Sequence, residues 1–262
     1  MLNRLLLEMT ENGRAYRTVE GYKGLLVMIL KYGFKYGYFS EDMSNDLSIN
    51  RIRVAERNEL KYLEHDEIKS LIHQLYESKR PEVARLCHIQ ILTGMRIGEL
   101  ISIDFKQHID FDNKTILIER TYNQAMKSFG TTKTGQSRTI NFNNEIETLL
   151  REQITHTRLK VMKYKLPRDS SLLFMTRTGN VIDDHYINKI LKNFDINGKN
   201  VTTHYFRHTF ITLMVENNVP LKLIAEHVGH TNTEMIQKVY NHFSNRMKDD
   251  LKQAINDLSL SI

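Results

Sequence analysis

His204-Tyr205-Phe206-Arg207-His208-Thr209 lies near the start of the last sixty residues, and Gly229-His230 and Tyr240 follow it. Far upstream stands a second word, Thr93-Gly94-Met95-Arg96-Ile97-Gly98-Glu99-Leu100. If the segment from His204 to Val215 is a helix, His204 and Arg207 point to one face. An arginine fork matches two phosphate oxygens, which a lysine does less well. Arg96 closes an apolar helical pattern beside Gly94 and Gly98, where a side chain can leave a core and enter a cleft. Arg96, His204, Arg207, His230 and Tyr240, joined by Lys133, are the residue types that can hold a phosphodiester and attack it without a metal. Two arginines can balance a pentavalent phosphorane, a task metal ions perform elsewhere. Each residue alone is commonly structural; the weight lies in the ordered set.

Working outward, the periodicity is mainly helical. Leu2, Leu5, Leu6 and Met9 recur at helical spacing, and Tyr22, Leu25, Leu26, Ile29 and Tyr36 form a second stripe. Residues 40–50 read as a turn or loop. Ile68, Leu71, Ile72, Leu75 and Tyr76 share a helix face, Pro81 punctuates, and a further helix runs to about Thr93. The period then changes. Ile109–Phe111, Thr115–Glu119 and Ser137–Phe142 read as short strands, with a tight turn at Asp112-Asn113 and a hairpin tip at Lys133-Thr134-Gly135. Helices return over Asn144–Lys165, Asp183–Phe194 and the C-terminal region, with Pro220 at a helix start and Gly229 just past its end. The expected class is mainly α with a small antiparallel β-sheet (α+β). The expected division is a partial helical domain over 1–50, a linker over 51–61 and the main domain over 62–262.

The chain has 262 residues, a formal net charge of +6 and 40% hydrophobic residues; the sequence pI is about 9.2. A basic balance permits attraction to nucleic acid or acidic membrane surfaces. Arg51, Arg53 and Arg57 in the linker, Arg138 on the third strand, and Lys160 and Lys163 on the long helix are candidate DNA contacts. The single cysteine, Cys87, rules out an intramolecular disulfide and a cysteine-based zinc site. It sits in an apolar helical pattern and reads as a buried side chain. His204 and His208 have the spacing of a zinc-binding helix. The metalloprotease word needs a glutamate after the first histidine, however, and here Tyr205 stands there, with Arg207 close by. No metal and no cofactor are expected, and His208 reads as structural. No apolar run is long enough to span a membrane, and no signal peptide is read.

These words resemble the tyrosine recombinase (phage integrase) family. The resemblance covers roughly residues 60–250 and is carried by Thr93–Leu100, His204–Thr209, His227-Val228-Gly229-His230-Thr231 and Tyr240-Asn241-His242. Tyr16–Leu47 is similar to the end of the helical core-binding domain that precedes the catalytic domain in this family. The family's core-binding domain is longer, and an arm-binding domain is not expected. The resemblance implies a site-specific recombinase or integrase of a phage or mobile element. Tyr240 is then the nucleophile, giving a 3′-phosphotyrosyl link and a free 5′-hydroxyl. Arg96 and Arg207 bind the scissile phosphate, His204 assists proton movement, His230 hydrogen-bonds the phosphate, Lys133 protonates the departing 5′-oxygen, and Glu99 supports. The implied partner is double-stranded DNA at a specific site, with a homodimer per site, a homotetramer in synapsis and accessory DNA-bending proteins. The implied location is the prokaryotic cytosol, associated with the nucleoid. Two further readings stand beside it: a non-catalytic DNA-binding regulator, and a type IB topoisomerase-like enzyme that relaxes DNA.

Overall fold

The computed structural model describes residues 1–49, 61–132, 135–229, 236–237 and 239–241. The chain divides into two compact units, Met1–Glu59 and Leu60–Ile262.

The first unit holds α1 (Leu2–Glu11), α2 (Tyr16–Lys35) and a one-turn 3-10 helix (Met43–Asp46). Its small core consists of Leu6, Val19, Leu30 and Leu47. One side chain fastens the end of the unit to its start. The Asn3 amide donates to the Asp46 carbonyl at 2.8 Å and accepts from the Ser48 N–H at 3.0 Å. Gly33 lies against the Phe39 ring, where a Cβ would come within 2.3 Å of a ring carbon.

The second unit is built around α4 (Pro81–Thr93), whose Val83, Ala84, Leu86, Cys87, Ile89 and Ile91 are all buried. A helix apolar nearly all round must be enclosed. Here α3 (His65–Glu77), α6 (Asn144–Lys163) and α8 (Thr203–Glu216) pack against it. Pro81 occupies the first turn of α4, where a missing N–H costs nothing. Burial pushes the Cys87 thiol up, so it stays protonated. Three polar residues of α4 are buried with partners: the Arg85 Nε donates to the Gln153 side chain at 2.9 Å, the Gln90 amide donates to the Met95 carbonyl at 3.2 Å, and the Thr93 hydroxyl donates to the Ile89 carbonyl at 2.7 Å.

The sheet order is β1-β2-β5, antiparallel throughout: β1 (Ile109–Asp110), β2 (Thr115–Ile118) and β5 (Arg138–Asn141). The register pairs Ile109 with Ile116 and Ile116 with Ile140, so one face delivers isoleucines to the core. Two further strands, β3 (Arg120–Asn123) and β4 (Ser128–Thr131), form a separate ribbon. Sequence reading missed this ribbon, because all four β4 residues are exposed and carry no alternation. The expected hairpin tip at Lys133–Gly135 falls on Lys133 and Thr134, which lie outside the described residues. On either side of them, the Gly135 N–H donates to the Thr132 carbonyl at 2.8 Å, and the flanking β4 and β5 belong to two different sheets. The ribbon's own tip lies at residues 124–127.

The remaining described elements are the one-turn α5 (Ile97–Leu100), α7 (Asp184–Leu191) and α9 (Leu221–Val228). A second core cluster joins α8 and α9 through Phe210, Ile211, Val215, Ile224 and Val228, and it includes Ile236 and Val239.

The Gln153 amide bridges two layers. It accepts from Arg85 and donates to the Leu173 carbonyl at 3.0 Å. Gln153→Leu leaves the buried Arg85 without that acceptor and should lower the unfolding free energy by about 1–3 kcal/mol. Urea denaturation measures it; an unchanged midpoint would show that the network adds no net stability.

Candidate active site

The site begins where α4 stops. Gly94 closes α4 in the left-handed region at φ 64°, and a Cβ there would come within 2.4 Å of the Phe210 ring. Conformation and space both demand glycine. The chain then turns sharply, and Arg96 becomes the N-cap of α5. Glu99, in the third helical position, accepts from the Arg96 N–H at 2.9 Å and from its Nη1 at 2.8 Å. Gly98 lets α5 lie against β3, where a Cβ would meet the Thr121 hydroxyl at 2.6 Å.

Glu99 is only 1% exposed and also takes both Nη groups of Arg138, at 3.1 and 2.7 Å. Burial alone would raise the Glu99 carboxyl. The Arg138 and Arg96 interactions outweigh it and hold the group below its ordinary 4.5. Glu99 thus orients Arg96 from the α5 side and Arg138 from the β5 side.

The end of α9 supplies the other half of the frame. Its last carbonyls have no partner within the helix and carry the negative end of the macrodipole. Three arginines take them in order. Arg138 Nε donates to the His227 carbonyl at 2.7 Å, Arg207 Nη2 to the Val228 carbonyl, and Arg96 Nη2 to the Gly229 carbonyl at 2.8 Å. Arg207 Nη1 also donates to the Gly94 carbonyl at 2.7 Å, tying the end of α4 to the end of α9. Gly229 closes α9 at φ 66°, and a Cβ there would sit 2.8 Å from Arg138 Nη1.

Arg207 is 6% exposed. Burial, with the neighbouring Arg96 and Arg138 charges, pushes its guanidinium down to about 9, against partial compensation from Glu99. It stays charged at neutral pH. Three guanidinium groups therefore face one carboxylate, and the surplus is positive. A guanidinium has five N–H donors, so Arg96 and Arg207 keep donors to spare after bonding to the frame.

His204 lies exposed in the first turn of α8, and Arg207 follows one turn later. His208 faces inward. Burial first, then the charges of His204, Arg207 and Lys61, push it down to about 4. His227 is lowered chiefly by burial; it bonds to the Thr93 carbonyl at 3.0 Å and stacks on Phe210 with ring centroids 4.9 Å apart. Tyr240 is helical and 47% exposed, while Ile236 and Val239 beside it are buried in the α8–α9 cluster.

Of the expected site residues, Arg96, Arg207 and Glu99 meet in one hydrogen-bonded cluster around the ends of α4 and α9. Lys133 and His230 lie outside the described residues, as do Arg51, Arg53 and Arg57. Arg138 is not an outward DNA contact: its guanidinium is committed to Glu99 and the α9 terminus. Lys160 likewise turns inward, to Glu82 at 2.7 Å and the Met175 carbonyl at 2.6 Å. Lys163 remains exposed. Sequence reading missed the framing roles of Arg138 and His227. Arg138 lies 39 residues from Glu99, and no local period links them.

Because the folded-state Glu99 carboxyl is depressed, its stabilisation is complete above about pH 4.5 and is lost as pH falls through the lower folded-state value. Glu99→Gln should therefore cost about 3 kcal/mol at neutral pH. Unfolding measured against pH should show this difference narrowing in acid. A pH-independent difference would contradict the ion-pair account.

Comparison with known proteins adds an independent finding. Residues 61–247 match the phage integrase family. The chain is 33% identical over 255 residues to the integrase of Staphylococcus phage L54a, with 87% of this chain and 71% of that protein covered. The chain spans 71%, 66% and 70% of the lengths of three curated relatives it matches. Among solved structures it resembles the Tn1549 transposon integrase in complex with transposon right end DNA, at TM-score 0.73 and 18% identity, covering 96% of this chain and 84% of that one. It also resembles the XerH site-specific recombinase bound to palindromic difH substrate, at TM-score 0.69 and 20% identity, covering 98% and 72%. At these identities the likeness to solved structures is one of fold. The α+β architecture, the sequence words and the family match agree, and the chain belongs to the phage integrase family of tyrosine recombinases.

Proposed function

We propose that the chain is a site-specific DNA recombinase that cuts and rejoins strands through Tyr240. The observation that carries this reading is the arginine frame: Arg96 and Arg207 are fixed by backbone carbonyls and Glu99 and have N–H donors left for one anion. A scissile phosphodiester has the right charge and two free oxygens for two guanidinium groups.

The reaction needs no net redox change. The Tyr240 phenol oxygen attacks phosphorus, a phosphorus–oxygen bond forms to tyrosine, and the bond to the 5′-oxygen breaks. A free tyrosine has a pKa of about 10, so attack at neutral pH needs a positive field or a base. Arg96 and Arg207 supply the field and His204 receives the proton. Lys133 delivers a proton to the departing 5′-oxygen, and His230 donates to a phosphate oxygen. Rejoining is the reverse, with a 5′-hydroxyl attacking the phosphotyrosine; the covalent link conserves the bond energy, so ATP is not required. Arg138 and Glu99 position Arg96 without touching substrate.

In this reading the partner is double-stranded DNA at a specific site, held by two protomers, with four in synapsis and with DNA-bending proteins assisting. Residues 1–50 form part of a core-binding domain, with the linker arginines and Lys163 near the backbone. No described helix is long and apolar enough to cross a membrane, and the proposed setting is the nucleoid of a prokaryotic cytosol.

A nicked suicide duplex carrying the site tests the proposal. The unmodified chain should form a covalent protein–DNA adduct, while Tyr240→Phe should bind with unchanged affinity and form none. An adduct surviving that substitution sinks the assignment. Binding without any adduct indicates a non-catalytic regulator, and relaxation of any supercoiled plasmid indicates a topoisomerase. Lys133→Ala should slow cleavage, and a 5′-thio leaving group should restore it; failure of that rescue removes Lys133 from the acid role. Affinity should also fall with salt, by about 0.9 in log K per log salt for each phosphate neutralised.

A further inference from the structure

His204 is held differently from the two arginines beside it. Arg96 and Arg207 are oriented by side-chain bonds to Glu99 and to backbone carbonyls. The His204 ring is exposed and makes no hydrogen bond to another described residue. Its place therefore comes from the backbone of the first turn of α8. A first turn is the weakest part of a helix, because its N–H groups have no partner within the helix. Threonine at the N-cap commonly supplies an acceptor from its own hydroxyl. Thr202, the N-cap of α8, makes no such bond. The acceptor comes from another element instead: the Asn188 side-chain oxygen, on α7, accepts from the Thr203 N–H at 2.9 Å.

We propose that Asn188 is a positioning residue for His204, acting through the capped first turn of α8; the proposal rests on the recombinase reading above. The link is stiff on both sides. On α7, Ile187, Ile190 and Leu191 are buried around Asn188, so the acceptor is carried on a helix locked into the core. On α8, Thr203 is 1% exposed and Phe206 is fully buried, and the Tyr205 N–H donates to the Thr202 carbonyl at 2.9 Å. The orientation of the Asn188 amide is settled by chemistry, since an N–H can pair only with its oxygen and not with its NH₂. The function of the cap follows from the reach of a base. Proton transfer needs heavy atoms about 2.6–3.2 Å apart, and a displacement on the order of an ångström is enough to slow a reaction severely. A frayed first turn would take His204 out of that range, and Asn188 prevents the fraying without touching substrate.

Single-turnover adduct formation on the nicked suicide duplex, at saturating DNA, tests the proposal. Asn188→Ala should slow the adduct roughly tenfold. Asn188→Asp keeps an acceptor oxygen at the helix start and should restore most of the rate. A double-substitution cycle separates positioning of His204 from a general structural role. His204→Ala slows the reaction by itself, and adding Asn188→Ala should then slow it no further. A full additional tenfold loss in that background, or an Asn188→Ala chain as fast as the unmodified one, overturns the proposal. Amide hydrogen exchange reads the cap without any reaction. The Thr203 amide should exchange slowly in the unmodified chain, fast in Asn188→Ala and slowly again in Asn188→Asp; free exchange in the unmodified chain also overturns the proposal. Failure of the recombinase reading looks different. The unmodified chain then forms no adduct while the Thr203 amide still responds to Asn188→Ala, and that outcome overturns the positioning role together with the reaction.

Discussion

Three guanidinium groups meeting the last two carbonyls of α9 and that of its capping Gly229 is the interaction on which the second unit's site geometry depends. A helix C-terminus ends in unpaired acceptors with a partial charge of roughly −0.5. Arg138, Arg207 and Arg96 each arrive from a different element and each take one acceptor. The helix end is thereby capped, and the arginines are oriented by rigid backbone. Glu99 fixes two of the three from the other side. The arrangement stays net positive, which a purely structural ion-pair cluster would not require.

Much of this was legible from sequence because the punctuation is physical. Pro81, Gly94, Pro220 and Gly229 each mark a helix limit for a steric reason, and the apolar periods between them identify the helices. Arg96 and Arg207 could be read as a pair because their local words are distinctive. What could not be read depends on distance along the chain. The Arg138–Glu99 pair spans 39 residues and Lys160–Glu82 spans 78, so two basic residues that look like surface charges are interior partners. The β3–β4 ribbon was missed because β4 is exposed along its length and has no buried face to set a period.

The two units differ in how fully their helices are used. In the second, α4 is buried on nearly every side, and its Arg85 and Gln90 each reach a partner from inside the core. In the first, α2 contributes only part of its apolar surface to a core of four buried residues. Burial scales with the number of surrounding layers, and the first unit has few.

Phe210 of α8 lies between two helix ends. Its ring fills the space that Gly94 leaves open and also stacks on His227. One side chain on α8 therefore gauges the spacing of both the α4 end and the α9 end. Substitution at any of the three positions changes the fit of the other two, so this trio should drift together among related chains. Accepted changes here should come as compensating sets, and single replacements should be rare survivors.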